Sequence, residues 1–296
     1  MGMGKGEVKH KAHMKTTFLF CCITLFSYAS SAQTNSKTNT RGRKGGLYLY
    51  WGWNWDNYSK SDISFSGPDY HFTLQEVVAR DSPSDFTLEK YFGISHITIP
   101  QFNFRIGYFL SDHWDISFGM DHMKYVVEQN QVVQIDGTIS KMESTYHGEY
   151  QDEDIMIMDD FLQFEHTDGL NYENIEARYS NLFFDLNKIK FHYTTGIGAG
   201  MLLPKTNTTL LNMERHDDYH LSGYGISGVI GLNALFFDHF FIQAEMKAGV
   251  INMPDIRTTF DSADRAHQQF MFYQHNIVFG ALIYFNHKAK EKTSME

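Results

Sequence analysis

The chain has 296 residues, of which 16% are aromatic, and its formal net charge is −10 at pH 7. An acidic balance of this size argues against nucleic acid as a partner. Both cysteines, Cys21 and Cys22, lie near the N-terminus, so no disulfide framework or thiolate site is expected in the rest of the chain.

The first predicted element is a secretory signal peptide over residues 1–32, with Met14 as the expected true start. Lys15 supplies a positive charge, Phe18–Tyr28 forms a short apolar core, and small residues up to Ala32 permit cleavage. Cleavage would remove four lysines and one glutamate, which changes the net charge from −10 to −13.

After a polar linker at residues 33–45, apolar and polar residues alternate with a period of two, which predicts strands with two different faces. The signal peptide is followed by no apolar run of 18 residues, so no membrane-spanning helix is predicted. We expect an all-β fold, an antiparallel up-and-down transmembrane β-barrel over residues 46–285, followed by a polar C-terminal tail at 286–296. Its eight predicted strands cover about 46–58, 97–110, 114–128, 175–186, 189–204, 219–235, 238–252 and 268–285.

Short and long connections alternate between these segments, as in a barrel with short periplasmic turns and long extracellular loops. The short connections are Leu110–Trp114, Leu186–Ile189 and Phe236–Phe240, and each contains an Asp or Asn suited to a tight turn. The fourth predicted strand, 175–186, has the weakest alternation. The long loops cover about 59–96, 129–174, 205–218 and 253–267.

Two of the long loops contain turn signals of their own. Gly67-Pro68-Asp69 is one, and Asp136-Gly137 is a candidate for a type I′ hairpin turn. Ten or twelve strands are therefore the alternative to eight. A soluble β-sandwich is the alternative fold, but the long segments, the glycines on the polar faces and the aromatic residues at strand ends favour the membrane barrel.

The pattern resembles the eight-stranded outer-membrane proteins of the OmpA/OmpX kind over about residues 46–285. The most specific part is the last strand, Phe270–Phe285, in which the alternation ends on an aromatic residue. In that family such a strand is the signal read by the barrel-insertion machinery, which the resemblance implies as a partner. It also implies a Gram-negative outer membrane and contact with its lipid and lipopolysaccharide. The polar tail at 286–296 departs from family members that stop at the aromatic residue.

Charged residues on the polar faces would lie inside such a barrel. An eight-stranded barrel has an interior that side chains just fill, and charges are costly there unless they are paired. We interpret them as a structural network that closes the lumen, with a gated proton or ion path as the alternative. The predicted lumen network consists of Arg105, Asp115, Asp121, Glu245 and Lys247.

The second long loop is acidic, with eleven Asp or Glu residues and no Lys or Arg between Lys141 and Arg178. Hard cations prefer oxygen ligands, but the spacing matches no EF-hand loop, so no metal and no other cofactor is predicted. Apolar residues at 155–158 and 161–162 suggest a loop helix or a partner-binding patch. The weak candidate metal ligands are Asp152, Asp154, Asp159 and Asp160.

His220-Leu221-Ser222 resembles the His-x-Ser pair of eight-stranded lipid A deacylases, with Glu245 as the only acidic candidate on a neighbouring strand. A nucleophile needs a base within hydrogen-bond reach and a third group that orients the base. A metal shared by His216 and His220 is not expected, because four residues span roughly 13 Å along a strand.

The sequence therefore predicts a non-enzymatic outer-membrane barrel that serves as a structural or surface-binding scaffold with a filled lumen. A lipid A-modifying hydrolase that uses His220 and Ser222 is one alternative. A narrow channel for small solutes is another. No motif identifies an extracellular ligand.

Overall fold

The structure, a computed structural model, describes residues 42–85, 87–92, 100–141, 143–213 and 218–284. The predicted signal peptide (1–32), most of the linker and the C-terminal tail (286–296) lie outside these ranges. Within them, no helix is both long enough and apolar enough to cross a membrane.

The described chain is all-β, with fourteen antiparallel strands in one sheet and a short helix, α1 (Leu88–Phe92). The strands are β1 (Gly46–Tyr58), β2 (Ser61–Gly67), β3 (Tyr70–Val77), β4 (Ala79–Arg80), β5 (Phe102–Phe109), β6 (Trp114–Val127), β7 (Val132–Ile139), β8 (Gly148–Met156), β9 (Leu162–Asp185), β10 (Ile189–Leu202), β11 (Asn207–Leu210), β12 (Gly223–Phe236), β13 (Phe240–Arg257) and β14 (Arg265–Tyr284).

Eight of these strands form a closed ring, because β1 pairs with β5 on one edge and with β14 on the other. The order around the ring is β1-β5-β6-β9-β10-β12-β13-β14. Three tight connections join β5 to β6, β9 to β10 and β12 to β13. In the last of these, Phe237 and Asp238 adopt left-handed backbone conformations with φ of 55° and 63°. We call the interior of the ring the lumen.

The other six strands, β2, β3, β4, β7, β8 and β11, come from segments predicted as loops. We call these strands, together with the adjoining ends of the ring strands, the cap. β2 pairs with the outer end of β14, β4 with β6 and β11 with β9. The sheet therefore has more strands than the eight predicted, and more than the ten or twelve of the alternative.

One predicted ring strand begins earlier than expected, and of the two predicted turns in the cap one is wrong and one is confirmed. The fourth predicted strand, 175–186, is part of β9, which begins at Leu162. Asp136-Gly137 is not a turn, because both residues lie within β7 and pair with β3. Gly137 has φ of 128° at a shift in the β7–β8 register, so it forms an irregularity in a continuous strand. The turn at 67–69 is confirmed, since it joins β2 to β3.

The polarity of the ring is inverted relative to that of the cap, and β6 shows both patterns along one inward face. Near the tight turns, Asp115 and Ser117 are buried in the lumen while Phe118 points outward and is 47% exposed. Further along the same inward face, Met123 and Tyr125 are fully buried apolar residues. Because side chains alternate with a period of two, one strand supplies both a polar interior and an apolar one.

The cap has an apolar core of its own. Phe65 and Phe72 stack with ring centroids 5.3 Å apart, and Phe161 packs against Phe72 at 5.8 Å. Leu162 is also fully buried in this core. The expectation of a loop helix at 155–158 and 161–162 is therefore wrong, while the partner-binding patch stays a prediction, since Met156 and Met158 are exposed. Residues 155–156 end strand β8, and Ile157, Phe161 and Leu162 pack inside the cap.

Candidate functional site: a charged layer in the lumen

All five residues predicted to form the lumen network lie inside the ring. They come from three strands that are not all adjacent, namely β5, β6 and β13. None of the five is more than 4% exposed, and they are Arg105, Asp115, Asp121, Glu245 and Lys247.

The centre of the network is Glu176 on β9, which the sequence analysis missed. Its Oε1 lies 2.8 Å from Nη2 of Arg105 and 2.7 Å from Nζ of Lys247. Its Oε2 lies 2.5 Å from Nε of Arg178, a second residue that was missed. Glu176 thus accepts from three cations that reach it from three different strands.

Two further carboxylates complete the layer. Arg178 donates from Nη1 to Oε1 of Glu245 over 2.6 Å, and the ammonium of Lys247 also contacts Asp121. Three cations therefore meet three carboxylates, and the layer is neutral. Such pairs offset the cost of burial only when their remaining donors and acceptors are satisfied.

Neutral groups satisfy several of those remaining sites. The hydroxyl of Tyr50 accepts from Nε of Arg105 and from Nη2 of Arg178, each over 3.0 Å. Nη1 of Arg105 donates to Ser117 over 3.1 Å. The layer is thus a hydrogen-bonded network that links β1, β5, β6, β9 and β13 across the lumen.

Glycines on the lumen face leave room for these long side chains. A Cβ at Gly119 would lie 2.8 Å from Cζ of Arg105, and a Cβ at Gly198 would lie 2.6 Å from Cγ of Glu176. Substitution at either position would displace a member of the network.

Asp115 stands apart from the central layer, nearer the end of the ring with the tight turns. It accepts from the hydroxyl of Tyr48 over 2.7 Å. Arg43 lies across this end, where its Nη2 donates to the carbonyls of Asp112 and Ser180, each over 2.8 Å. A cavity of about 40 Å³ lies among these residues, which is space for one or a few water molecules.

Apolar side chains lie on both sides of the charged layer. Toward the tight turns, a cluster that includes Tyr48, Phe109, Phe241 and Leu282 is buried. Toward the cap, the fully buried Tyr172 and its neighbours begin the large apolar core. Between the charged layer and this core lies a cluster of buried, hydrogen-bonded polar side chains, Asn54, Asp56, Gln101, Asn103 and Gln274. The lumen is thus filled by apolar and polar side chains on either side of the charges.

The four acidic residues of the candidate metal set lie at the outside of the cap. Asp152 and Asp154 are on β8, and Asp159 and Asp160 follow it. Asp152 accepts from Nε2 of Gln75 over 2.6 Å, and Asp160 accepts from the hydroxyl of Tyr146 over 2.8 Å. Among the described residues, no three His, Cys, Asp or Glu side chains are grouped so that they could hold a metal ion.

The His-x-Ser pair lies just before β12 and is not arranged for catalysis. Nε2 of His220 lies 2.9 Å from Oδ2 of Asp255. Oγ of Ser222 donates to the backbone carbonyl of His220 over 3.3 Å. Glu245 is engaged with Arg178 inside the lumen, so the three residues are not brought together. His216 lies outside the described residues.

Comparison with known proteins gives resemblances between folds. No protein-family model and no curated protein matches the chain. The outer membrane protein OprG from Pseudomonas aeruginosa is similar at 10% identity and a TM-score of 0.37, over 82% of this chain and 98% of that one. The outer membrane protein AlkL is similar at 10% identity and a TM-score of 0.38, over 87% and 99%.

A third similar structure is the N-terminal β-barrel domain of OprF from Pseudomonas aeruginosa, at 8% identity and a TM-score of 0.24, over 81% of this chain and 99% of that one. The resemblance to outer-membrane β-barrel proteins predicted from the sequence is thus also found among solved structures. At these values nothing about activity follows from it.

Proposed function

We propose that the chain is a non-enzymatic outer-membrane β-barrel of a Gram-negative bacterium, in which the eight-stranded ring spans the membrane and carries the cap outside it. The barrel would act as a structural or binding scaffold with a filled lumen. The observation that carries this proposal is the inversion of polarity between ring and cap. The ring has an apolar exterior around a polar interior, which suits a surrounding of lipid. The cap has its apolar residues inside, as a protein surrounded by water does.

The exterior of β12 illustrates the fit to a bilayer. Ile226, Ile230 and Leu232 point outward and are 61%, 57% and 61% exposed. From Ile226 to Phe236 the outward face covers about 33 Å at roughly 3.3 Å per residue. At a strand tilt of about 40° this gives a height of about 25 Å, the height of the apolar band on outer-membrane barrels. In water, an apolar surface of that extent would promote aggregation.

The orientation follows from the connections. Outer-membrane barrels have short turns on the periplasmic side and longer loops outside. The three tight turns of the ring would therefore face the periplasm, and the cap would face the exterior. Export through the signal peptide at residues 1–32 and recognition of Phe270–Phe285 by the insertion machinery belong to the same proposal.

The filled lumen supports a scaffold over a channel. Ion passage would require water to displace the buried apolar and hydrogen-bonded polar side chains that fill the lumen and to separate the paired charges of the charged layer. Purified protein in planar bilayers should give no conductance above the baseline of protein-free membranes. Stepwise conductance that disappears on heat denaturation would instead establish the channel.

The contacts of Ser222 support the non-enzymatic assignment. Its hydroxyl donates to a backbone carbonyl, and the histidine two residues earlier is bonded to Asp255, so the contacts show no base that activates the serine. Mass spectrometry of lipid A from cells with and without the protein should give the same acyl pattern. A missing acyl chain that returns in the Ser222→Ala variant would establish the hydrolase.

Heat-modifiable migration tests the barrel. Protein folded in detergent should migrate on SDS gels at a different apparent mass before and after boiling. The protein should also fractionate with the outer membrane. A chain that extracts into buffer without detergent would contradict the proposal.

A further inference from the structure

Two carboxylates lie close together where the lumen meets the cap. The pairing of β5 with β1 ends at Trp53, so residues 54–58 of β1 have no partner strand on that side in the described part of the chain. Asp81, which follows β4, lies there instead, and its Oδ2 accepts from the backbone nitrogen of Asp56 over 2.9 Å. The side chains of Asn54 and Asp56 point into the lumen and are 2% and 4% exposed, whereas Asp81 is half-buried.

The buried carboxylate of Asp56 is bonded only to neutral groups among the described residues. Its Oδ1 accepts from Nε2 of Gln274 over 3.0 Å, and its Oδ2 accepts from Nε2 of Gln101 over 2.9 Å. The three cations of the charged layer are already balanced by the three carboxylates of that layer. A buried carboxylate without a compensating charge is costly. This part of the lumen therefore carries one negative charge in excess.

The same part of the lumen has more hydrogen-bond acceptors than donors. In the charged layer and between it and the cap, three lumen-facing side-chain atoms are buried without a hydrogen-bond partner among the described residues, and all three are oxygens. They are Oε1 of Gln101, Oδ1 of Asp121 and Oδ1 of Asn276. Buried polar atoms in folded proteins are almost always satisfied by protein, water or an ion. An excess of acceptors that coincides with an excess of negative charge is what a bound cation would relieve.

Gln101 connects one of these unpartnered oxygens to the two carboxylates. Its Nε2 donates to Oδ1 of Asn54 over 3.2 Å as well as to Asp56, and the Asp81 carboxylate also accepts from this amide. Three oxygens thus converge on an amide nitrogen that carries only two protons, so they cannot all be satisfied. A half-turn of the amide would direct its buried Oε1 toward them instead. Four oxygens would then face one point, where they repel one another unless a cation lies between them.

We propose that Asn54, Asp56, Asp81 and Gln101 form a binding site for one calcium ion at the boundary between ring and cap. Calcium prefers carboxylate and amide oxygens and takes about six to eight of them in flexible geometry, so water can supply the remaining ligands. The two carboxylates balance the charge of the ion. Because Asp81 is half-buried, one side of the site is open to solvent. With two acidic residues, the site differs from a group of three His, Cys, Asp or Glu side chains, which the described residues do not form.

The test measures calcium binding by isothermal titration of the full mature chain in phosphatidylcholine vesicles, after treatment with a chelator. Phosphatidylcholine has no net charge, so the signal reports on the protein. The wild type should bind one calcium ion per chain. Asp56→Asn and Asp81→Asn should each weaken binding at least about tenfold, because each removes a charged ligand. Asp154→Asn, on the exposed strand β8, is the matched control and should keep the wild-type affinity.

Calcium should also raise the urea midpoint of the wild type but not that of Asp56→Asn, because only the folded chain brings the four oxygens together. Absence of stoichiometric binding, or equal affinity in Asp56→Asn, would overturn the site. An equal rise in sodium chloride at the same ionic strength would overturn the assignment to a divalent ion. A wild-type midpoint that rose only as the pH fell would show that Asp56 holds a proton instead, and would also overturn the proposal. Each variant is first shown to be heat-modifiable, so loss of the site is distinguishable from loss of the barrel.

Discussion

Replacing Glu176 by Gln removes one negative charge from the middle of the lumen while keeping the shape of the side chain. Three cations, Arg105, Arg178 and Lys247, now contact Glu176 at 2.8, 2.5 and 2.7 Å. In the variant they share the two remaining carboxylates, Asp121 and Glu245. Breaking a buried ion pair by removing one partner typically costs about 3–5 kcal/mol, because a charge is left uncompensated.

The free energy of unfolding is measured by urea titration of the protein in lipid vesicles, followed by tryptophan fluorescence. Glu176→Gln should lower it by about 3–5 kcal/mol. The control Glu149→Gln, on the exposed strand β8, should change it by less than about 0.5 kcal/mol. A change below about 1 kcal/mol for Glu176→Gln would refute the role of the network in holding the ring together.

A double-mutant cycle with Arg105→Gln distinguishes lost charge balance from lost shape. The salt bridges of Arg178 with Glu245 and of Lys247 with Asp121 survive in the double variant, so its charges are again balanced. The double variant should be less destabilised than the sum of the two single variants, with a coupling of about 0.5–3 kcal/mol. Additive effects would show that the two residues act independently.

Three further predictions concern the cap and the lumen. Burial lowers the pKa of His166, in the cap part of β9, to about 3, against about 6.5 when unfolded. Its neutral form therefore stabilises the cap fully above pH 6.5, and this contribution is lost as the pH falls toward 3. The protease resistance of the cap should fall over that interval, and it should fall less steeply in the His166→Gln variant. Parallel pH curves for the wild type and the variant would disprove this. Phe161→Ala should destabilise the cap by about 3–5 kcal/mol and leave the heat-modifiable migration of the ring intact. If the variant lost its heat-modifiable migration together with the folded cap, ring and cap would unfold as one unit. Gly119→Ala should cost about 1–3 kcal/mol in the same urea titration, since the new methyl would lie 2.7 Å from the carbonyl oxygen of Phe104 and 2.8 Å from Cζ of Arg105; an unchanged midpoint would show that the strand and the guanidinium both adjust without cost.

The ring strands could be predicted because their two faces differ so strongly. On β1, Tyr50 and Asn54 face the lumen while Trp51 and Trp55 face outward, and the period of two alone predicts this division. The same pattern identified four members of the charged layer, Arg105, Asp121, Glu245 and Lys247, and Asp115 nearer the tight turns. Glu176 was missed because the outward face of β9 mixes polar and apolar residues, such as Glu173 and Ala177, so the two faces of the strand differ little. Glu176, Arg178 and Ser180 lie two residues apart on one face of β9, and this spacing is the signal that identifies Glu176 as a lumen residue.

The cap could not be predicted because its strands depend on partners far away in the sequence. Asp136-Gly137 is locally a strong turn signal, yet β3 pairs with this segment and keeps it extended. The outer part of β9 was read as an acidic loop, since its outward residues include Gln163 and Glu165. Its inward residues Phe164 and His166 belong to the apolar core, and only the pairing with β6 and β11 reveals that.

The inversion of polarity between ring and cap is tested most directly by labelling single cysteines with a membrane-impermeant maleimide. The chain after residue 32 contains no cysteine, so each introduced thiol would be unique in the processed protein. In lipid vesicles, Ile230→Cys on the ring exterior should stay unlabelled until the membrane is dissolved and the protein denatured. Glu149→Cys on the cap should label at once on outward-facing molecules. Equal labelling rates at the two positions would show that the ring faces water and would contradict the membrane-spanning barrel.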